Sequence, residues 1–398
     1  MKNQLLHTPE GVRDIYNEEC EKKLFLQDRL NHTLKRYGYR SIQTPTFEFF
    51  DIFGKEIGTT PSKELYKFFD REGNTLVLRP DITPSIARSV AKYFTDEDMP
   101  IRLSYMGNTF TNNNSYQGRL KECTQIGAEL IGDNTVDADA EIIALVVHSL
   151  LAAGLKEFQI SIGHADILSS MMEAAGLDEE QEARVRELIA NKNFFGVEEE
   201  LEETAVDCHL KKLFGMIGNI YNDASEFDLA KELAHDYSKI STALTRLEAL
   251  DSVLKIYGVD GYVTYEMGMM SNYSYYTGII FAGYTLGTGE AIVKGGRYDK
   301  LLPYFGKDSA SIGFAFTVDQ IMNALSRQKI AIPLEYNNIL IVYDEVRRQE
   351  AIKKAEELRE NSGQVEIIRK DSGKTRADYE AYQKRNQIAE LIYMGGDK

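Results

Sequence analysis

Apolar and polar positions along the first 165 residues follow two alternating rhythms. From Glu18 to Tyr37, the residues Leu24, Leu26, Leu30 and Leu34 fall near helical spacing, which predicts an amphipathic helix. The stretch Tyr39 to Phe50 favours extended structure around Pro45, carried by Ile42, Thr44, Thr46 and Phe47. Thr75 to Leu78, Ile101 to Phe110 and Cys123 to Leu130 read as strands, and Val136 to Ala153 as a helix. Between about Ile167 and Tyr257 the pattern becomes one amphipathic helix after another, with few strand formers, which predicts a helical insertion. Strand character returns at Gly261 to Glu266, Tyr276 to Tyr284 and Glu290 to Lys294, before a helix from Thr317 to Arg327.

Pro333 opens a short linker, and the tail has its own rhythm. Ile339 to Tyr343, Val365 to Arg369 and Ala389 to Met394 read as strands, separated by helices at Glu345 to Glu360 and Arg376 to Arg385. Such alternation predicts a small parallel βαβαβ unit. The expected organisation is a core domain over 1–327 and a smaller α/β domain over 328–398.

The 398 residues suit two or three domains, and 43% apolar with 27% charged residues is normal for a soluble protein with a large core. No apolar run is long enough for a membrane span and the N-terminus lacks an apolar signal core, so a cytoplasmic protein with no membrane partner is expected. Cys20, Cys123 and Cys208 are odd in number and far apart, which argues against a disulfide framework or zinc site. His148 and His164 have no carboxylate at metal-binding spacing and read as core or capping residues, so no metal and no cofactor are expected. The net charge of −16 lowers the odds of a nucleic-acid partner, whose phosphates need clustered cations. Gly373-Lys374-Thr375 ends like a phosphate-binding loop, but the glycine that loop requires five residues earlier is Ile368.

Seven segments, in order, resemble the class II aminoacyl-tRNA synthetases and the histidyl member in particular. They are PEGVRDI (Pro9 to Ile15), YGYRSIQTPTFE (Tyr37 to Glu48), KELYKFFDREGNTLVLRPDITP (Lys63 to Pro84), GRLKECTQIGAELIG (Gly118 to Gly132), YYTGIIF (Tyr275 to Phe281), KGGRYDKLL (Lys294 to Leu302) and SIGFAFTVDQI (Ser311 to Ile321). The resemblance covers about residues 7 to 327. It implies an α+β fold: a class II-like antiparallel sheet with flanking helices, the helical insertion, and a small C-terminal α/β domain similar to the start of an anticodon-binding domain. The second segment resembles the motif that forms the dimer interface in that family.

By the same resemblance, Asp81, Thr83 and Gln125 would hold the α-amino group of histidine, while Glu129 and Tyr276 of the Tyr275-Tyr276 pair address the imidazole. This is chemically apt, since an ammonium wants carboxylate and carbonyl acceptors and an imidazole N–H wants a carboxylate. Gly295 and Gly296 would let backbone approach the ligand. Taken singly, each has an ordinary structural reading: Asp81 as a helix cap, Glu129 as a surface strand acid, the tyrosines as core.

The departures from the pattern bear on function. Amino-acid activation builds charge on the phosphates of ATP that fixed cations must meet. The family's three chemical arginines fall at Thr111, Ser271 and Gln320 here, and further charged positions fall at Asn113, Asn114 and Ser274; Arg79 and Arg119 are retained by the same pattern but cannot alone restore the missing clamp. One such arginine can be worth ~10³ or more in rate, so losing three should leave essentially no adenylation. From Glu335 onward 12 Lys plus Arg face 13 Asp plus Glu, a poor tRNA surface.

The chain is therefore similar to the family of synthetase-like regulatory subunits of ATP phosphoribosyltransferase. That implies a partner, the short-form catalytic subunit of the first step of histidine biosynthesis, and histidine as effector. It also implies a homodimer within a hetero-oligomer, with no catalytic residues of its own. The alternatives are an active histidyl-tRNA synthetase, a related class II amino-acid ligase, or a sensor of uncharged tRNA. The sequence leaves open whether histidine occupies the old synthetase pocket or an interface with the catalytic chain.

Overall fold

A computed structural model describes residues 6–54, 57, 60–97, 99–113, 120–202, 204, 206–270, 275–334, 336–361 and 363–396. The chain forms two compact units, residues 1–332 and 333–398.

The first unit is organised on a nine-stranded sheet. Its spatial order is Arg40–Ser41, Ile101–Phe110, Glu122–Ile131, Ser311–Thr317, Val293–Arg297, Ile279–Thr285, Phe158–His164, Val263–Glu266 and Ile220–Tyr221. Arg40–Ser41 and Val263–Glu266 pair in parallel with Ile101–Phe110 and Phe158–His164 respectively; the other neighbours are antiparallel. The expected stretch Tyr39 to Phe50 divides into Arg40–Ser41 and Phe47–Phe49. The latter joins a separate antiparallel sheet with Thr75–Leu78 and Lys67–Phe69.

Two helices cover the centre. Asn17–Arg36 buries Leu26, Leu30 and Leu34 in the main core, while Leu24 stays on its exposed face. Each such leucine contributes roughly 1.5–3 kcal/mol relative to exposure. Val136–Ala152 starts where the Thr135 side chain accepts from the Ala138 backbone N–H, with Asp137 and Asp139 in its first turn, where the helix dipole favours acids. Ile142 through Val147 are all fully buried, so this helix is central rather than amphipathic.

The insertion is helical as the sequence predicts, running from Ala165–Ala175 to Ser238–Tyr257, which ends at Gly258 in the left-handed region. It is not a satellite. Val185, Leu213 and Leu244 belong to the same apolar cluster as Ile126 and Phe316 of the sheet, and the short strand Ile220–Tyr221 hydrogen-bonds to the sheet edge.

Two central strands are absent from the sequence expectations. In Phe158–His164 and Ser311–Thr317 the apolar residues do recur at every second position, but the positions between them hold mostly small residues, which are weak strand formers and are largely buried as well. The expected strand Glu290 to Lys294 lies three residues later, at Val293–Arg297. The expected strand at Tyr276 begins at Ile279, which leaves Tyr275 and Tyr276 ahead of it. In the second unit, Asn338–Tyr343 is the middle strand of a parallel three-stranded sheet, between Gln364–Arg369 and Glu390–Met394. The helices Arg348–Glu360 and Arg376–Arg385 complete the βαβαβ alternation.

Candidate functional site

Sheet register builds a cavity of about 140 Å³ on one face of the large sheet. Glu129 lies opposite Gly313, which lies opposite Gly296; Gln125 lies opposite Thr317; Gly127 lies opposite Ala315, which lies opposite Lys294. Residues directly opposite in a sheet share a face, so glycine and alanine floor the cavity while longer side chains wall it. A side chain at Gly313 would collide with the Glu129 carboxylate.

Asp81, Thr83, Gln125, Glu129, Tyr275 and Tyr276, proposed from three separated segments, all line this cavity. The Thr83 hydroxyl donates to Glu129 Oε1 at 2.8 Å and the Tyr298 hydroxyl donates to Oε2 at 2.5 Å. Glu129 is 1% exposed. Burial is the dominant influence on it and, against the lowering effect of these hydroxyls, pushes its pKa from the ordinary 4.5 to about 8. Asp81 Oδ1 accepts from the backbone N–H groups of Ile82 at 2.7 Å and Thr83 at 3.3 Å, and the Tyr275 hydroxyl donates to Oδ2 at 3.5 Å. Asp81 thus takes two backbone N–H groups just ahead of the helix Thr83–Tyr93, whose N-cap position is Ile82, and walls the cavity at once. Burial raises its pKa too. The Gln125 side-chain oxygen is buried with no hydrogen-bond donor among the described residues.

The two glycines act differently from each other. The missing side chain of Gly296 leaves room for the Tyr276 ring. Gly295 faces the other side of the sheet, where a Cβ would collide with Phe281, so its smallness serves the core rather than a ligand. Tyr298, Glu290, Lys294 and Gly313 also line the cavity and carry no role in the sequence analysis. For Lys294 and Gly313 the signal is strand register, which the motifs alone do not print; Glu290 and Tyr298 flank the strand Val293–Arg297.

Of the three lost arginine positions, Thr111 follows the strand Ile101–Phe110 and its backbone N–H donates to Lys121 O at 2.9 Å. Gln320 stands in the first turn of Val318–Arg327 and donates from Nε2 to Glu290 at 3.4 Å. Ser271, Ser274, Asn114 and Arg119 lie outside the described residues. Arg79, a family-pattern cation that is retained, is committed elsewhere: Nε donates to Asn108 O at 2.8 Å and Nη1 to Thr44 O at 2.9 Å. Among the described lining residues the cavity therefore carries three carboxylates, Asp81, Glu129 and Glu290, against one cation, Lys294. It can accept N–H groups and an ammonium.

A second cavity, of about 350 Å³, is lined by His164, Lys239, Arg246 and Arg297 with Asp166 and Asp299. Its two arginines are committed inside the fold, and Lys239 pairs with Glu173 at the surface. Arg297 donates to Asp139 from Nε at 3.0 Å and Nη2 at 2.6 Å, and Arg246 donates from Nε at 2.8 Å. His164 caps the helix Ala165–Ala175 by accepting the Asp166 backbone N–H, and burial lowers its pKa to about 4. His148 meets the Tyr37 hydroxyl at 2.5 Å. Among the described residues no group of three or more His, Cys, Asp or Glu side chains could hold a metal ion, and no helix is long and apolar enough to cross a membrane.

A family model described as histidyl-tRNA synthetase matches residues 11–321. An ATP phosphoribosyltransferase regulatory subunit from Acetivibrio thermocellus is 39% identical over 91% of this chain and 86% of that protein. One from Ruminiclostridium cellulolyticum is 36% identical over 99% and 93%. A crystal structure of an ATP phosphoribosyltransferase regulatory subunit/histidyl-tRNA synthetase from Bacillus halodurans superposes with a TM-score of 0.86 at 31% identity, covering 99% of each chain. A histidyl-tRNA synthetase from a Nostoc strain shares the fold at a TM-score of 0.80 and 19% identity, over 98% of this chain and 92% of that one. With relatives this similar along nearly the whole sequence, the chain belongs to the family of ATP phosphoribosyltransferase regulatory subunits, built on the class II histidyl-tRNA synthetase fold.

Proposed function

We propose that this chain has no chemistry of its own, and that it both enables the short-form ATP phosphoribosyltransferase catalytic subunit and relays feedback inhibition by histidine. The observation that carries the reading is the charge of the cavity. Buried Asp81 and Glu129 suit the ammonium and ring N–H of histidine, while Thr111 and Gln320 are neutral where a nucleotide would need arginine. Histidine would occupy the old synthetase pocket through Asp81, Thr83, Gln125, Glu129, Tyr275 and Tyr276. Feedback then follows from linkage: histidine must bind one arrangement of the complex better than the other, and a preference of about 1–3 kcal/mol suffices.

Homodimerisation through the small sheet fits the same reading. Phe47, Phe49, Phe68 and Phe69 stand exposed there, Phe69 at 72%, and a cluster of exposed aromatics marks an association surface. Glu48, between the first two, is turned inward against Arg88 at 2.7 Å.

Calorimetric titration of the full-length chain with histidine tests the pocket; absence of binding sinks the pocket assignment. Co-expression with the catalytic chain tests the role. Activity should require both chains and fall with added histidine, and catalysis indifferent to this chain would overturn the proposal. Robust histidine-dependent ATP–pyrophosphate exchange by the purified chain would instead favour a working synthetase.

A further inference from the structure

Three carboxylates make one part of the cavity a home for positive groups, yet a free amino acid also brings a carboxylate. Lys294 is the only cation among the described lining residues, and none of the described residues ion-pairs with it. Its strand, Val293–Arg297, runs beside Ser311–Thr317, which separates it from the strand of Glu129 and Gln125. The register sets Lys294 on the cavity face, beside the floor formed by Gly296, Ala315 and Gly313. A lysine stem lies readily over such a surface with its ammonium directed to a ligand or to water. Two strand spacings across and two residues along put the Cα atoms of Lys294 and Glu129 roughly 12 Å apart. That span leaves room for a small zwitterion between the two side-chain heads.

We propose that Lys294 binds the carboxylate of the amino acid in this cavity, and so makes the site selective for the free amino acid over its amide, ester or alcohol. The inference rests on the pocket reading above and adds the element that reading lacks. Asp81, Glu129 and the unpartnered Gln125 oxygen take the positive and N–H groups; Lys294 takes the negative one. Glu290 shares the cavity wall, and Gln320 donates to it, so its negative charge is partly occupied. An aminoacyl adenylate has its carboxylate tied up in a mixed anhydride with phosphate and so offers Lys294 no free carboxylate. The cavity is thereby suited to sensing an amino acid rather than activating it.

The test is titration of the full-length wild type, K294M and K294R with L-histidine and with L-histidinol, in which a hydroxymethyl group replaces the carboxylate. Lys294 is exposed, so neither substitution should disturb folding, and thermal unfolding checks this. A charge-assisted contact is worth roughly 10- to 100-fold in affinity. K294M should therefore lose about that factor for histidine and almost none for histidinol, collapsing the wild type's preference, while K294R keeps it. If K294M binds histidine as the wild type does, or loses both ligands equally, the role of Lys294 is overturned while the pocket reading stands. A wild type that binds neither ligand overturns both.

Discussion

Asp139 and Glu129 are both carboxylates removed from solvent, at 0% and 1% exposure, and the fold treats them in opposite ways. Asp139 accepts from two guanidiniums: Arg297 of the strand Val293–Arg297 and Arg246 of the insertion helix Ser238–Tyr257. Burial pushes its pKa up and the two cations oppose that push. Glu129 has hydroxyl donors and no cation, and its pKa rises to about 8. A buried charge that is internally neutralised is architecture. One left with hydroxyls alone is stabilised as a carboxylate only when something positive or N–H-bearing arrives.

The largest effect that can break this comparison is Asp139→Ala. It strips Arg297, itself 2% exposed, of its two-point carboxylate and leaves only the Nη1 contacts to Asp299 at 3.3 Å and to Asp133 O at 3.0 Å, and should cost about 3 kcal/mol of unfolding free energy. Chemical denaturation measures it. A loss below 1 kcal/mol would mean that the cluster does not hold the insertion to the sheet.

Glu129→Gln should do the reverse. Histidine affinity should fall roughly 10- to 100-fold, since a charged acceptor is replaced by a neutral one. The stability of the free protein should not fall, and at alkaline pH it should rise. The sign follows from the raised pKa. An unfolded Glu129 releases its proton near 4.5 and the folded one near 8, so the folded state binds more protons across that window. The protonated group's stabilising contribution is full below about 4.5 and is lost as pH rises through about 8. Unfolding measured from pH 5 to 8.5 should show that decline in the wild type, and the Gln variant should lack the Glu129 part of it. In the same window histidine binding should release protons, so its heat should differ between buffers of unlike ionisation enthalpy. A wild type and variant with identical pH slopes would remove Glu129 as the titrating group.

The same contrast explains what could be read from the chain. Ile101–Phe110 and Thr75–Leu78 were legible to the residue because their apolar and polar positions, or a short β-branched and aliphatic run between turns, mark them out. Six cavity residues were legible through the order of the family's motifs, although those segments lie far apart in the chain. Phe158–His164 and Ser311–Thr317 were not: their apolar residues alternate, but the positions between are filled by Gly163, Ser161, Ser311, Gly313 and Ala315, weak strand formers that blur the local signal. Lys294 was missed, and Gly295 misplaced, for one shared reason. Which face a strand residue takes depends on register, and a slip of one position exchanges the faces. The Asp139 cluster was invisible for a different reason: its partners are 107 and 158 residues away in sequence.

The smallest test sharpens the comparison from within the neutralised cluster. Arg246 is 22% exposed at its side chain, and water can replace part of what it gives; it also donates to the carbonyls of Asn134 and Thr135 at the head of the helix Val136–Ala152. Arg246→Ala leaves Asp139 paired with Arg297, so the expected loss is about 1 kcal/mol, with histidine affinity unchanged. Unfolding and titration of one preparation read both quantities. If Arg246→Ala were as damaging as Asp139→Ala, two cations would be needed to hold one buried carboxylate. Glu129, with none, would then be harder to explain as an acid simply left for a ligand to complete, and its protonated form would have to be the functional one.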